Sequence, residues 1–159
     1  MAFTPAAAPR MARVLAVLVP AGALATALIA QYGFALAPCE MCWWQRYAHF
    51  AALVFALAAL SVRDARATAG LFWLAVLGIA ASGVIGGYHA GVEYHWWQGL
   101  TTCATTNLAD DPLAAILAAP VIRCDVPAWT LFGVSMAGYN CIASLAAAGL
   151  IATLARRGR

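Results

Sequence analysis

The stretch PCEMCWWQRYAHFAALVFALAALSV, residues 38–62, decides how the chain is read. From Cys42 to Val62 it is a nearly unbroken apolar run, and about 20 such residues in a helix cross a bilayer. Its opening does not fit a plain span. Two cysteines, Cys39 and Cys42, stand two residues apart behind Pro38, and Arg46 follows four residues after the second thiol. A membrane helix that begins with a thiol pair and a buried cation asks for a chemical explanation.

Composition settles the setting. The chain has 159 residues, 65% of them hydrophobic and only 9% charged, whereas a soluble domain carries about a quarter charged residues. Three more apolar stretches have spanning length, at about residues 14–32, 69–90 and 128–154. The predicted fold is all-α: a single four-helix membrane bundle over residues 1–159, with outer loops at 33–41 and 91–127. No basic block is interleaved with aromatics, so nucleic-acid binding has no support.

Arginines set the orientation, because positive residues stay on the cytoplasmic side. There is no lysine. Arg10 and Arg13 precede the first span, Arg63 and Arg66 sit between the second and third, and Arg156, Arg157 and Arg159 follow the fourth. An even number of spans puts these on one face, leaving Arg46 and Arg123 on the other. Both termini are therefore expected in the cytoplasm. The competing reading, a signal peptide cleaved near ATALIAQ, leaves three spans and breaks this bias.

Four cysteines then face outward, where disulfides persist in a bacterial cell. They are Cys39, Cys42, Cys103 and Cys124, and four cysteines allow three pairings. The spacing favours Cys39 with Cys42, within one turn, and Cys103 with Cys124, enclosing residues 104–123. The second bridge would constrain the loop by roughly 3 kcal/mol in the chain-entropy model, so a structural staple explains it equally well. The first closes too small a loop to act as a staple. Pro38 suits a helix start. The thiol of Cys42 then meets the free N–H groups and positive dipole end of the first turn, with Arg46 one turn further on the same face. Arg46 also has a plain reading as a snorkelling helix-end residue, and Trp43 and Trp44 as an interfacial belt.

The segment C-x-x-C-W-x-Q-R at 39–46 resembles the start of the second span in the DsbB family, bacterial inner-membrane proteins that re-oxidise the periplasmic thiol oxidase DsbA. YHAGVE at 88–93, WWQGLTTC at 96–103 and RCDVPAWTLFGVSMAGYN at 123–140 are similar to its later segments. The likeness covers nearly all of the chain after residue 10. The order of the two cysteine pairs differs from that of the related vitamin K epoxide reductases.

The resemblance implies a relay. A DsbA-like periplasmic thioredoxin-fold partner attacks the loop disulfide at Cys103, and Cys124 passes the exchange to Cys39. Cys42 is left as a thiolate beside a membrane quinone, ubiquinone or alternatively menaquinone. Arg46 maps onto the family's quinone-side arginine. The family's histidine falls on His89, with His95 close enough to compete. From the residues alone, thiols without flavin, haem or metal need another electron sink, and the bilayer holds quinones. His49 and His89 both lie near the outer leaflet by count, and His89 is the one expected nearer a quinone.

In the long loop, DDPLAAILAAP (110–120) reads as a short interfacial helix. Asp111 caps it, Pro112 opens it, and Leu113, Ile116 and Leu117 share one face. Cys141, midway along the fourth span, has no obvious mate. Three histidines are too few for paired haem sites, and a single C-x-x-C lacks the second pair of a four-cysteine zinc site; no metal is expected. A structural four-span protein with stapled loops is the reading that an oxidoreductase must displace.

Overall fold

The computed structural model describes residues 7–100 and 122–157. Cys103 and the expected interfacial helix at 110–120 lie outside the described residues.

Four long helices follow one another. Helix α1, Ala7–Leu28, continues into a wider π-helical turn at Ile29–Gly33. Helix α2 is Glu40–Ser61, α3 is Ala65–Glu93 and α4 is Met136–Arg157. Three helical segments, Pro9–Gly33, Ala65–Glu93 and Met136–Arg157, are long and apolar enough to cross a membrane. In α2 the polar side chains of Gln45, Arg46 and His49 dilute the apolar run. They point inward for reasons given below.

Local chemistry fixes the helix ends. The short link after α2 closes when Asp64 caps α3, its Oδ1 accepting from the Ala67 N–H at 2.8 Å. At the other end of α3 the chain folds back on itself. The Trp97 ring stacks on Tyr88 and its Nε1–H donates to the Tyr88 carbonyl. A Cβ on Gly91 would collide with that indole.

Residues 128–135, apolar enough to read as the start of the fourth span, form something else. Thr130–Leu131 (β1) pairs antiparallel with Val134–Ser135 (β2), Thr130 opposite Ser135. Phe132 and Gly133 make the turn, both at positive φ (49° and 76°), as a two-residue hairpin of the right twist requires. Hydropathy cannot separate an apolar hairpin from an apolar helix. An isolated pair of strands this short is unstable. Here the Tyr94 hydroxyl donates to the Gly133 carbonyl and accepts from the Ser135 N–H, and the Tyr139 hydroxyl donates to Leu131.

Each helix packs mainly on its neighbours in sequence, and α1 closes the ring against α4. The interior is built from small residues, among them Ala12, Ala16, Ala52, Ala56, Ala75 and Ala148, around Ile79 and Ile151. Large apolar side chains face outward instead: Phe50, Val54 and Leu57 on α2, Leu77 and Val84 on α3, Leu150 on α4. This inverted arrangement suits a lipid surround, where association comes from close backbone approach rather than from hiding apolar area. At Gly86 the neighbour is backbone, since a Cβ there would lie 2.9 Å from the Ala137 carbonyl oxygen.

Gly86→Ala should therefore push α3 from α4 and lower stability by roughly 1–3 kcal/mol. Gly149→Ala, where a Cβ meets nothing within 4 Å, should be neutral or slightly stabilising. Thermal unfolding of the two variants in detergent makes the comparison, and equal melting would refute the close-contact account.

Candidate active site

Cys39 caps α2. Its backbone is extended (φ −77°, ψ 175°) and its Sγ accepts from the Cys42 N–H at 3.3 Å. Cys42 stands in the first turn, among the unpaired N–H groups of the helix start. The two sulfurs are 2.8 Å apart and both are free thiols, so the Cys39–Cys42 disulfide expected from the spacing is not the state described here. A hydrogen bond between the sulfurs links the pair. That hydrogen bond with Cys42, and then burial, push the Cys39 thiol up.

His89 comes to this pair from α3. Its Nδ1 faces the Gln45 side-chain amide nitrogen at 3.0 Å and its Nε2 lies 3.5 Å from Cys39 Sγ. The same Gln45 nitrogen donates to the Met41 carbonyl, which orients the amide and makes His89 Nδ1 the acceptor. Nε2 then carries the proton and is directed to the thiol side, where the ring also bonds the Cys124 backbone. Glu93, one turn on, approaches His89 Nε2 to 3.7 Å, and its second carboxylate oxygen has no partner among the described residues. His95, the competing histidine, lies past the end of α3 at positive φ, exposed.

Cys124 completes the cluster. It is fully buried, disulfide-bonded, and packed with Cys39, Met41 and Val92. On the surface beside it, Arg123 grips Asp125 through two hydrogen bonds, holding that carboxyl below its usual range. A loop disulfide and a helix-start thiol pair thus share one buried cluster.

Behind the thiols a polar chain runs into the bundle. The Asn140 amide nitrogen donates to Gln45 Oε1 at 2.8 Å and reaches the Ser82 hydroxyl and carbonyl, both at 3.1 Å. Its Oδ1 accepts from Ser144 at 2.9 Å and from His49 Nε2 at 3.0 Å. The Ser82 hydroxyl donates to the Gln45 carbonyl. Three helices are stitched through one amide.

Arg46 is tied to the π-helical turn and to α1. Its guanidinium donates to Gln31 Oε1 in the π-helical turn at 2.5 Å and to the Ala27 carbonyl at 3.2 Å, and it lies 5.0 Å from the Trp43 ring centre. Beside it α1, α2 and α4 enclose a cavity of about 490 Å³. Cys42, Arg46 and His49, on one stripe of α2, open into it with His89 and Glu93; the other walls are mostly apolar. A second cavity, about 510 Å³, lies among Arg13, Arg63, Phe72 and Trp73 at the opposite end and holds no thiol.

Of the residues singled out from sequence, Cys39, Cys42, Cys124, Arg46 and His89 meet at one end of the bundle. Gln45, Asn140, Ser82, Ser144 and Glu93 were not anticipated. The available signal was polarity inside apolar spans, since polar groups there are generally partnered and functional.

Replacing Asn140 with Leu removes the partner of Gln45 Oε1, a partner of the Ser82 carbonyl, and one of the two partners of His49 Nε2. Each orphaned buried group costs about 1–3 kcal/mol. Asn140→Leu should melt markedly earlier than wild type and should expose Cys39 to faster alkylation, as Gln45 loses its hold on His89. An unchanged melting curve and alkylation rate would show the chain to be dispensable.

Comparison with known proteins agrees with this arrangement. Residues 9–154 match the family model described as disulfide bond formation protein DsbB. An uncharacterized protein of Rickettsia prowazekii (strain Madrid E) is 27% identical over 129 residues, covering 77% of this chain and 74% of its own. No solved structure matches the chain significantly. With its thiol pair and loop disulfide in one cluster of a four-helix membrane bundle, the chain belongs to the DsbB family of inner-membrane thiol oxidoreductases.

Proposed function

We propose that this protein re-oxidises a DsbA-like periplasmic thioredoxin-fold oxidase and passes the two electrons to a membrane quinone. One observation carries the reading. Cys39 is packed between the disulfide-bonded Cys124 on one side and Cys42, with its cavity, on the other.

In the resting cycle both cysteine pairs are oxidised. A thiolate of the partner breaks the Cys103–Cys124 bond, forming a mixed disulfide on Cys103 and freeing Cys124. The Cys124 thiolate attacks Cys39, and Cys42 leaves as a thiolate. The partner's second thiol resolves its mixed disulfide and departs oxidised. Cys103 then attacks Cys124, restoring the loop disulfide and releasing Cys39. The products are an oxidised partner and a reduced Cys39–Cys42 pair.

The cavity suits a quinone head. Its volume is in the range of small-molecule sites, its walls are largely apolar, and Arg46 contributes a cation to its lining. A bound quinone supplies the electron sink, taking two electrons and two protons to become the quinol while Cys39 and Cys42 return to the disulfide. The chain's part is positional. Cys42 presents sulfur at the cavity, Arg46 stabilises negative charge there, and His89 holds Cys39 beside Cys124. The apolar walls exclude water. The arginine bias places the thiols on the periplasmic side of the inner membrane.

Two outcomes test this. In Cys42→Ser, Cys39 is a free thiol and offers the freed Cys124 no disulfide to attack, so added reduced partner should accumulate as its mixed disulfide with Cys103 and little should be released oxidised. Peptide mapping that finds only the loop disulfide would refute the relay. Arg46→Lys loses the planar double donor, and one charge-assisted hydrogen bond is worth roughly 1.5–3 kcal/mol. Quinone KM should rise and turnover fall by about tenfold to a hundredfold, more so in Arg46→Ala, while the Cys124 disulfide is unaffected. Unaltered quinone kinetics in Arg46→Ala would return Arg46 to a structural role.

A further inference from the structure

At the end of the bundle away from the thiols, a cavity of about 510 Å³ opens where all four helices begin or end. Ala12 and Arg13 of α1, Ala59 of α2, Arg63 of the following link, Trp73 of α3 and Ala155 of α4 all line it. Ala12 and Ala59 are buried, and their small side chains leave the space open. Both arginines are exposed, and neither has an ion pair or a hydrogen bond among the described residues. No acidic residue lines the cavity. Asp64, the single acid at this end among the described residues, is bound into the cap of α3. Arg10, Arg66, Arg156 and Arg157 stand at the same helix ends and add to the positive field.

The arginine bias alone accounts for cations on a cytoplasmic face. It does not account for a cavity between four helices with two unpaired cations in its lining. Unpaired cations beside a cavity favour an anionic occupant. Arginine is the side chain best shaped for a phosphate, because its planar fork can meet two oxygens at once. The rest of the lining is mostly apolar, which a bare anion would leave unmatched. Leu60 lines the cavity and is largely exposed, so an occupant has an apolar way out to the surrounding bilayer. Phosphate and hydrocarbon in one molecule describe a phospholipid. Basic pockets between membrane helices on the cytoplasmic side suit anionic headgroups, and each arginine near such a surface is worth about 1 kcal/mol, or fivefold.

We propose that this cavity binds one anionic phospholipid, its phosphate held between Arg13 and Arg63 and the start of its acyl chains lying against Trp73 and Leu60. The site is separate from the thiols and does not depend on the electron acceptor. A lipid held there bridges α1 to the α2–α3 link, two segments whose arginines otherwise repel each other. It therefore stabilises the bundle at the end opposite the reactive pair.

The test titrates the full chain in detergent with phosphatidylglycerol or with phosphatidylcholine and reads bound lipid by native mass spectrometry. One phosphatidylglycerol per chain should be retained, phosphatidylcholine should not, and only the first should raise the melting temperature. Arg13→Gln/Arg63→Gln should weaken phosphatidylglycerol binding about thirtyfold, fivefold for each charge. Arg156→Gln/Arg157→Gln removes the same charge at residues that do not line the cavity, and should stay within about twofold of wild type. Ala69 also lines the cavity. Ala69→Trp fills that space without touching charge and should expel the lipid, which decides the matter if the arginine variant inserts poorly. Undiminished binding in either cavity variant, or an equal loss in Arg156→Gln/Arg157→Gln, would overturn the site. Equal retention of phosphatidylcholine would do the same. Displacement of the lipid by millimolar inorganic phosphate would assign the cavity to a soluble anion instead.

Discussion

The side-chain amide of Asn140 is the interaction on which the rest of this bundle depends. In an apolar interior without water, a polar group must find partners within the protein or remain costly. Asn140 saturates both ends of its amide against α2, α3 and its own helix. Small residues let the helices approach, as at Gly86 beneath Ala137 and Asn140 itself. Dispersion at such contacts has little angular preference, whereas the amide fixes rotation as well as distance. Through Gln45 it also sets His89, and through His89 the position of Cys39. The reactive pair is thus held by a hydrogen-bonded chain that begins two turns deeper.

The chain also divides the site into two environments. On one side Cys39 and Cys124 pack with Met41 and Val92 in a buried cluster. On the other Cys42 faces an apolar cavity with a single cation, where charge is poorly screened and Arg46 acts at close range. The π-helical turn at Ile29–Gly33 serves the second environment. By widening the helix it brings Gln31 to the guanidinium, so that Arg46 is held inward rather than drawn to the interface.

Much of this was legible in the sequence, for identifiable reasons. Apolar length follows from the bilayer itself, and a four-helix membrane bundle could be read from it; the arginine bias adds the expectation that the thiols face outward. Cys39, Cys42 and Arg46 stood out because their spacing places them on adjacent turns of one helix. The polar chain was not legible, since Gln45 and Asn140 are 95 positions apart and nothing periodic links them. Nor was the hairpin before α4, because TLFGVS is as apolar as the helix that follows and only Phe132 and Gly133 at positive φ give it away. The choice between His89 and His95 turned on where α3 ends, and that was decided by the Trp97 stack on Tyr88.

The hairpin has a kinetic meaning for the loop it terminates. Tyr94 fixes Gly133 and Ser135 to the top of α3, so Cys124 works on a leash of five residues, 125–129, ahead of β1. Fully extended, that leash reaches only about 20 Å. In the relay proposed above, Cys124 would stay within a small volume around Cys39, with an effective concentration there of the millimolar order or above. For that proposed relay the attack of Cys124 on Cys39 would be the nearby choice, and competing small thiols in the surrounding fluid would have to match that local concentration to intercept it.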